Sequence, residues 1–453
     1  MSLKKGSQSR VFSFVRTLGS TALRAGAEAL KKKWSASQQG QDAVSQAALR
    51  FAQGLDELKG AAMKAGQLLS MIDEHLLPPG WKNALTKLQS QATAWDWQTI
   101  SPVLEKEWGH FEDFLDIDPQ AVHAASIGQV HKGCLKEGTF VAIKIQYPGL
   151  AENMNADLKS LKKIFKIANI LPQTASYDNA FGALKKLFIQ ELDFIREMNF
   201  YQLYFRAFEH HQHITVPNTI PKLCTPKVLV TTWSEGLTLQ KWLEQNCAET
   251  SENQDTKAFA SNASRERQRN QIASLLLEVI FTEIFCLELI QSDPNPSNFL
   301  IMCDRGGRSI RLTLLDFGAT QKLSSHTVDN YLELCRAAQQ KNEQGMIKFG
   351  THLEILHPQD CEETKKSFLK MMQIASEPFI QKQYCWRQAQ QLSRIHKESL
   401  NFMKLTKFRP PQAEILFINR RLGGNLLILE KLGATLSAQN VLLPFFNRKR
   451  TKK

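Results

Sequence analysis

Apolar positions in the first part of the chain fall at helical spacing. Val11, Phe14, Val15, Leu18, Ala22, Ala25, Ala29 and Leu30 predict an amphipathic helix over residues 10–34. Leu55, Leu58, Ala62, Ala65, Leu69 and Ile72 predict a second helix, which Pro78-Pro79-Gly80 ends. Residues 81–120 read as helix and loop, with Trp81, Trp95, Trp97 and Trp108 as packing residues. The period then changes. Two strands flank a turn at Lys136-Glu-Gly138, and the second, Phe140-Val-Ala-Ile-Lys144-Ile, is apolar but for one lysine. A helical insertion over 150–178, a helix over 180–208 and a strand over 228–233 follow. Residues 245–270 are polar and predict a flexible surface insertion ahead of a helix over 271–291. A strand containing Leu312, Leu314 and Leu315 precedes helices that run to Leu436, with a break at Arg409-Pro-Pro411.

Charge alters this picture only at the ends. Of the net +13 in 453 residues, residues 1–33 carry eight basic side chains against Glu28, and the last six residues carry five more. The body is nearly neutral, which argues against a nucleic-acid groove across the fold. Basic ends suit an anionic membrane surface, or act as solvated tails. The first helix also resembles a mitochondrial presequence, since it bears Arg and Ser and has no acid before Glu28. No stretch of 18 or more apolar residues exists that would span a membrane. The eight cysteines form no Cys-x-x-Cys pair, so neither a zinc cluster nor a disulfide framework is predicted, and a reducing compartment is expected.

The chemistry concentrates between residues 290 and 318. Asp293 is followed five residues later by Asn298, and Asp316-Phe-Gly closes an apolar run. A phosphoryl-transfer site on the kinase plan needs one Asp to orient or deprotonate the attacking hydroxyl. It also needs an Asn five residues on and a second Asp at a strand end to hold a metal. A turn plus a buried strand is the ordinary alternative, and it leaves the ordered pairing of the two motifs unexplained. Upstream, Lys144 on its apolar strand is placed to hold phosphates, with Ala124, Ala125 and Ser126 as a small-residue loop over them. The backbone of the strand that ends at Thr232 and Trp233 is the expected contact for an adenine base. A buried lysine needs a carboxylate partner. Glu191, Asp193 and Glu197 all lie on the helix predicted over 180–208, and spacing does not choose among them.

Together these pieces resemble the UbiB/AarF family of protein-kinase-like ATPases, and within it the coenzyme Q biosynthesis branch, over about residues 50–436. The motifs are Lys64-Ala-Gly-Gln67, the loop Ala124-Ala-Ser-Ile-Gly-Gln-Val-His131, and Val141-Ala-Ile-Lys144. Glu191-Leu-Asp193, Glu197, Asp293-Pro-Asn-x-x-Asn298 and Asp316-Phe-Gly complete the set. The resemblance implies an α+β, bilobal protein-kinase-like fold with a small β-sheet N-lobe, a helical C-lobe and an added N-terminal helical extension. Its parts would be a basic amphipathic segment 1–48, the extension 49–120, the N-lobe with a helical insertion 121–233, the C-lobe 234–440 and a basic tail 441–453.

By the same resemblance Lys144 contacts nucleotide phosphates and pairs with Glu197, Asp293 is the catalytic acid, and Asn298 and Asp316 hold Mg2+. Lys64 and Gln67 would cover the place where a kinase binds its peptide, near Glu191 and Asp193, which disfavours protein phosphorylation in trans. The implied ligands are ATP or ADP with Mg2+. The implied partners are an anionic membrane surface, quinone-precursor lipids and quinone-biosynthesis proteins, and no nucleic acid. The expected activity is an atypical kinase or ATPase supporting ubiquinone biosynthesis. A nucleotide-gated scaffold or lipid-binding chaperone, or a true protein kinase, are the alternatives. The location would be cytoplasmic and peripheral to the inner membrane in a bacterium, or else the matrix side of the mitochondrial inner membrane. Three features depart from the wider family. His123 opens the loop where Ala is usual, Gln291 and Asn295 stand for histidines, and a C-terminal membrane-spanning pair is missing.

Overall fold

The computed structural model describes residues 94–125, 127–167, 177–247, 256–304, 309–407, 409 and 411–447. The helices predicted over 10–34 and around 55–72, with Lys64 and Gln67, lie outside the described residues, as does Ser126. The described chain opens with helix α1 (Trp97–Trp108) and strands β1 (Leu115–Ala124), β2 (Gly128–Leu135) and β3 (Phe140–Gln146). Helices α2 (Leu150–Ile167), α3 (Tyr177–Glu191) and α4 (Phe194–Phe208) follow, then β4 (Ile214–Thr215) and β5 (Val228–Thr232). Next come β6 (Leu237–Thr238), α5 (Leu239–Asn246), α6 (Thr256–Thr282), β7 (Leu289–Gln291), β8 (Phe299–Cys303), β9 (Ile310–Leu314) and β10 (Thr320–Lys322). The remainder is α7 (Ser325–Gln339), α8 (Glu343–His352), α9 (Glu362–Ser376), β11 (Tyr384–Cys385), α10 (Trp386–Ala389) and α11 (Gln391–Leu405). It closes with α12 (Ala413–Leu432), β12 (Thr435–Leu436) and α13 (Ala438–Phe446).

The chain divides into two compact units, one of Met1–Arg196 with Thr219–Trp233, the other of Glu197–Asn218 with Ser234–Lys453. The first unit holds an antiparallel sheet in the order β1-β2-β3-β5. Its core joins Ile100, Val103 and Leu104 of α1 to Val141, Ile143 and Ile145 of β3. The second unit is mainly helical. Its core is built on α6, where Ile272, Ala273, Leu276, Val279 and Ile280 are buried, and a small sheet in the order β4-β9-β8-β6 carries the chemistry-bearing stretch. The stretch Ala263–Leu287 is long and apolar enough to cross a membrane, but most of it is buried inside the protein, as in a core helix.

Five stretches differ from the sequence reading. Residues 115–120, within the segment read as helix and loop, begin β1; Pro119 is tolerated because β1 is an edge strand and its register shifts between Ile117 and Ala121. The helix predicted over 180–208 is two helices. Asp193 Oδ1 accepts the Arg196 backbone N–H at 3.0 Å, so Asp193 caps α4 and does not share a helical face with Glu197. Residues 256–270, read as a flexible insertion, form the first half of α6, consistent with the helix propensity of their Ala, Arg and Gln residues. That helix stops at Thr282, and a π-turn at Glu283–Leu287 with left-handed Glu288 (φ 54°) leads into β7. The tail read as all helix contains β10, β11 and β12, and residues 441–446 of the expected basic tail belong to α13.

Candidate active site

Lys144, Ala124, Ala125, Glu191, Asp193, Thr232 and Trp233 belong to the first unit, and Glu197, Asp293, Asn298 and Asp316 to the second. Strand alternation sends Val141, Ile143 and Ile145 into the core and Ala142, Lys144 and Gln146 to the other face. Lys144 is half-buried there, with its ammonium 5.2 Å from the Phe194 ring centroid. Gln146 fixes the same face to the junction of α3 and α4, since its Nε2 donates to the Leu192 carbonyl at 3.0 Å. Glu191 at the end of α3 and the exposed cap Asp193 flank that junction.

Ala124 ends β1, and the Ala125 N–H donates to the Gly128 carbonyl at 2.8 Å to close the small-residue loop. A Cβ on Gly128 would sit 2.2 Å from the Ile145 carbonyl oxygen, so β2 can approach β3 only with glycine there. At the far end of the sheet, the Trp233 N–H donates to the Phe140 carbonyl at 2.9 Å. That N–H is therefore engaged in the sheet, beside the Lys132 ammonium, which lies 4.8 Å from the Trp233 ring.

Sequence reading missed a buried polar chain in this unit. The Gln129 carboxamide accepts the Trp95 N–H (2.7 Å) and donates to the Trp95 carbonyl (3.0 Å). Gln129 Nε2 also donates to His131 Nε2 at 2.8 Å, and His131 Nδ1–H donates to the Asp118 carbonyl at 2.8 Å. These bonds suit a neutral imidazole, and burial holds the His131 pKa below its ordinary value against the opposing pull of Asp118. The signal was available, because Gln129 and His131 interrupt a buried strand at a spacing of two.

In the second unit four sequence-predicted residues come together. The Gln291 carboxamide accepts the Asp293 N–H at 2.6 Å and donates to the Asp316 carbonyl at 2.9 Å, joining the two motifs. Asn298 Nδ2 donates to Asp293 Oδ2 at 3.3 Å. Asp316 has φ 58°, in the left-handed region, and its Oδ1 accepts the Gly318 N–H at 3.1 Å. A Cβ on Gly318 would lie 3.2 Å from Glu197 Oε2 and 3.4 Å from Asp316 Oδ1, so the bare glycine lets both carboxylates close on it. This donor set fits Mg2+, a hard cation that takes oxygen ligands. With Nδ2 donating to Asp293, Asn298 would offer its Oδ1 to a cation, and the Gly318 N–H holds Oδ1 of the Asp316 carboxylate.

The tail also serves this cluster, although the sequence offered it only as packing. Arg421 on α12 donates to Glu283 through Nε (3.2 Å) and Nη2 (3.0 Å). One turn on, a Cβ at Gly424 would sit 2.2 Å from Cβ and Cγ of Pro294, so α12 lies directly against the loop that carries Asp293. Burial leaves the Glu283 carboxyl above its ordinary range, against the pull of Arg421. Burial, then the Glu283 carboxylate, raises the neighbouring Tyr204 hydroxyl well above its own. Glu283 could have been found as an acid inside the apolar run Val279-Ile-Phe-Thr-Glu-Ile-Phe.

Residues 87–350 match the family described as the ABC1 atypical kinase-like domain. A relative named atypical kinase COQ8B, mitochondrial, from Rattus norvegicus is 29% identical over 403 residues, covering 88% of this chain and 72% of the relative. The atypical kinase COQ8, mitochondrial, of Saccharomyces cerevisiae is 27% identical over 402 residues, covering 88% and 75%. Among solved structures, the complex of Rv3197 with erythromycin from Mycobacterium tuberculosis aligns with a TM-score of 0.60 at 25% identity, covering 90% of this chain and 98% of that one.

Proposed function

Because the chain belongs to the ABC1 family of atypical kinase-like proteins, the UbiB group whose motifs it carries, we propose that it binds ATP or ADP with Mg2+ and acts as an atypical kinase or ATPase in support of ubiquinone biosynthesis at a membrane surface. The observation that carries this reading is the Gln291 carboxamide, which ties the Asp293 N–H to the Asp316 carbonyl while Asn298 bonds to Asp293. That geometry keeps an acid, an amide and a second acid in one oxygen-rich cluster. Asp316 and Asn298 would hold Mg2+, which when bound neutralises charge on the phosphates. Lys144 would contact the phosphates, and Asp293 would orient or deprotonate the attacking hydroxyl or water. The mitochondrial names of the relatives favour the mitochondrial alternative over the bacterial one as the place of action.

Asp316→Asn tests the reading. It removes a carboxylate charge without changing size, so Mg2+-dependent nucleotide binding should be lost; undiminished binding overturns the assignment. Quinone profiling of a strain lacking the gene tests pathway and turnover together. Rescue by the wild type and failure of Asp316→Asn is the expected pattern, and full rescue by Asp293→Asn would instead point to a scaffold that needs no turnover.

A further inference from the structure

Helix α4 presents one stripe, Glu197, Tyr201 and Tyr204, at the spacing that stacks residues on a single helical face. That stripe meets Asp316-Phe317-Gly318 residue by residue. Glu197 Oε2 lies against Gly318, and the Tyr201 and Tyr204 rings hold Phe317 at centroid distances of 4.6 and 4.2 Å. The Tyr201 hydroxyl accepts the backbone N–H of Asp316 at 3.1 Å. Tyr201 and Phe317 are both buried. A ring alone would suffice to pack Phe317; the hydroxyl is a separate feature aimed at a backbone group.

That group is in an unfavourable conformation. For a residue with a Cβ the left-handed region costs roughly 1–2 kcal/mol, and Asp316 occupies it at φ 58°. Three bonds pin the residue there: its N–H to Tyr201, its carbonyl from Gln291 and its Oδ1 from Gly318. We propose that Tyr201 is a positioning residue whose hydroxyl holds the Asp316 backbone in the conformation that presents its carboxylate to a divalent cation, and so sets the cation affinity of the site. This inference rests on the metal-holding role proposed above for Asp316.

Tyr201→Phe keeps the ring against Phe317 and removes the hydroxyl that accepts the Asp316 N–H. The full-length variant should need about fivefold more Mg2+ for half-maximal nucleotide binding, the change that corresponds to about 1 kcal/mol for one lost hydrogen bond. Its Asp316 amide should exchange hydrogen faster than in wild type, while the thermal midpoint stays close to wild type. A purely structural Tyr201 would move the midpoint and leave the Mg2+ dependence alone. Unchanged Mg2+ dependence and unchanged amide exchange overturn the inference while leaving the nucleotide reading intact. A wild type with no Mg2+-dependent binding overturns both. If Tyr201→Phe does not fold, amide exchange in the wild type decides, because an Asp316 amide exchanging as an unprotected one refutes the latch.

Discussion

Replacing Arg421 by Met probes how the second unit carries a buried charge beneath its polar cluster. Arg421 meets Glu283 through two bonds of 3.2 and 3.0 Å, and the two side chains are 4% and 1% exposed. Methionine keeps the apolar stem and removes the charge. The Glu283 carboxyl, already raised by burial, then loses the cation that opposes that effect. Truncating one partner of a buried pair costs about 3–5 kcal/mol, whereas replacing both by apolar groups can be neutral. Arg421→Met should therefore lose about 3–5 kcal/mol in urea unfolding, read as a lower midpoint at unchanged slope, and Glu283→Leu with Arg421→Met should recover most of it. The sign of the pH dependence follows from the raised carboxyl. Below its ordinary value of 4.5 the acid is neutral folded and unfolded, and the deficit is smallest. The deficit grows as pH rises towards the higher folded pKa. A single variant within about 1 kcal/mol of wild type, or a double variant no more stable than the single, would refute this reasoning.

Two further outcomes are expected. The His131 pKa is held below its ordinary 6.5, so its contribution to stability is complete above that pH and declines as pH falls below it. His131→Gln should flatten the acid side of the stability profile, and equal slopes in the two proteins would contradict a neutral buried imidazole. The full chain should bind anionic vesicles weakly and less so as salt rises. Binding that persists after removal of residues 1–35 and 447–453 would rule out the basic ends as its cause.

Residues that must be polar at fixed spacing were legible in the sequence. Asp293, Asn298 and Asp316 stand out because an Asp and an Asn five residues apart precede an Asp-Phe-Gly that closes an apolar run, and Lys144 because its strand is otherwise apolar. The kinase-like α+β fold followed from those motifs in order. The failures have local causes. The Asp-bearing stretch that ends at Pro119 reads with the helix-and-loop segment 81–120, but an edge strand with a register shift accepts that proline. The polar run at 256–270 suggested disorder, although a surface helix extending from a buried one can be polar throughout. Asp193 looked like a mid-helix acid, whereas its short carboxylate caps the helix that follows. Glu283 and Arg421 are 138 residues apart, so no local pattern could pair them.

The conformation of Asp316 shows why a motif and a working site are different claims. Asp-Phe-Gly supplies the carboxylate and the bare Cα of Gly318, but it does not by itself put Asp316 at φ 58°. Bonds from Gln291, 25 positions away, and Tyr201, 115 positions away, contribute to that. A chain could keep every residue assigned to phosphoryl transfer and still present the acid badly if either tie were cut. Conversely, an amide at 291 makes the tie with a group that does not titrate, so this link between Asp293 and Asp316 holds at any pH where the unit is folded. On the proposed reading, competence in such a chain depends on Gln291 and Tyr201 as well as on the acids they orient.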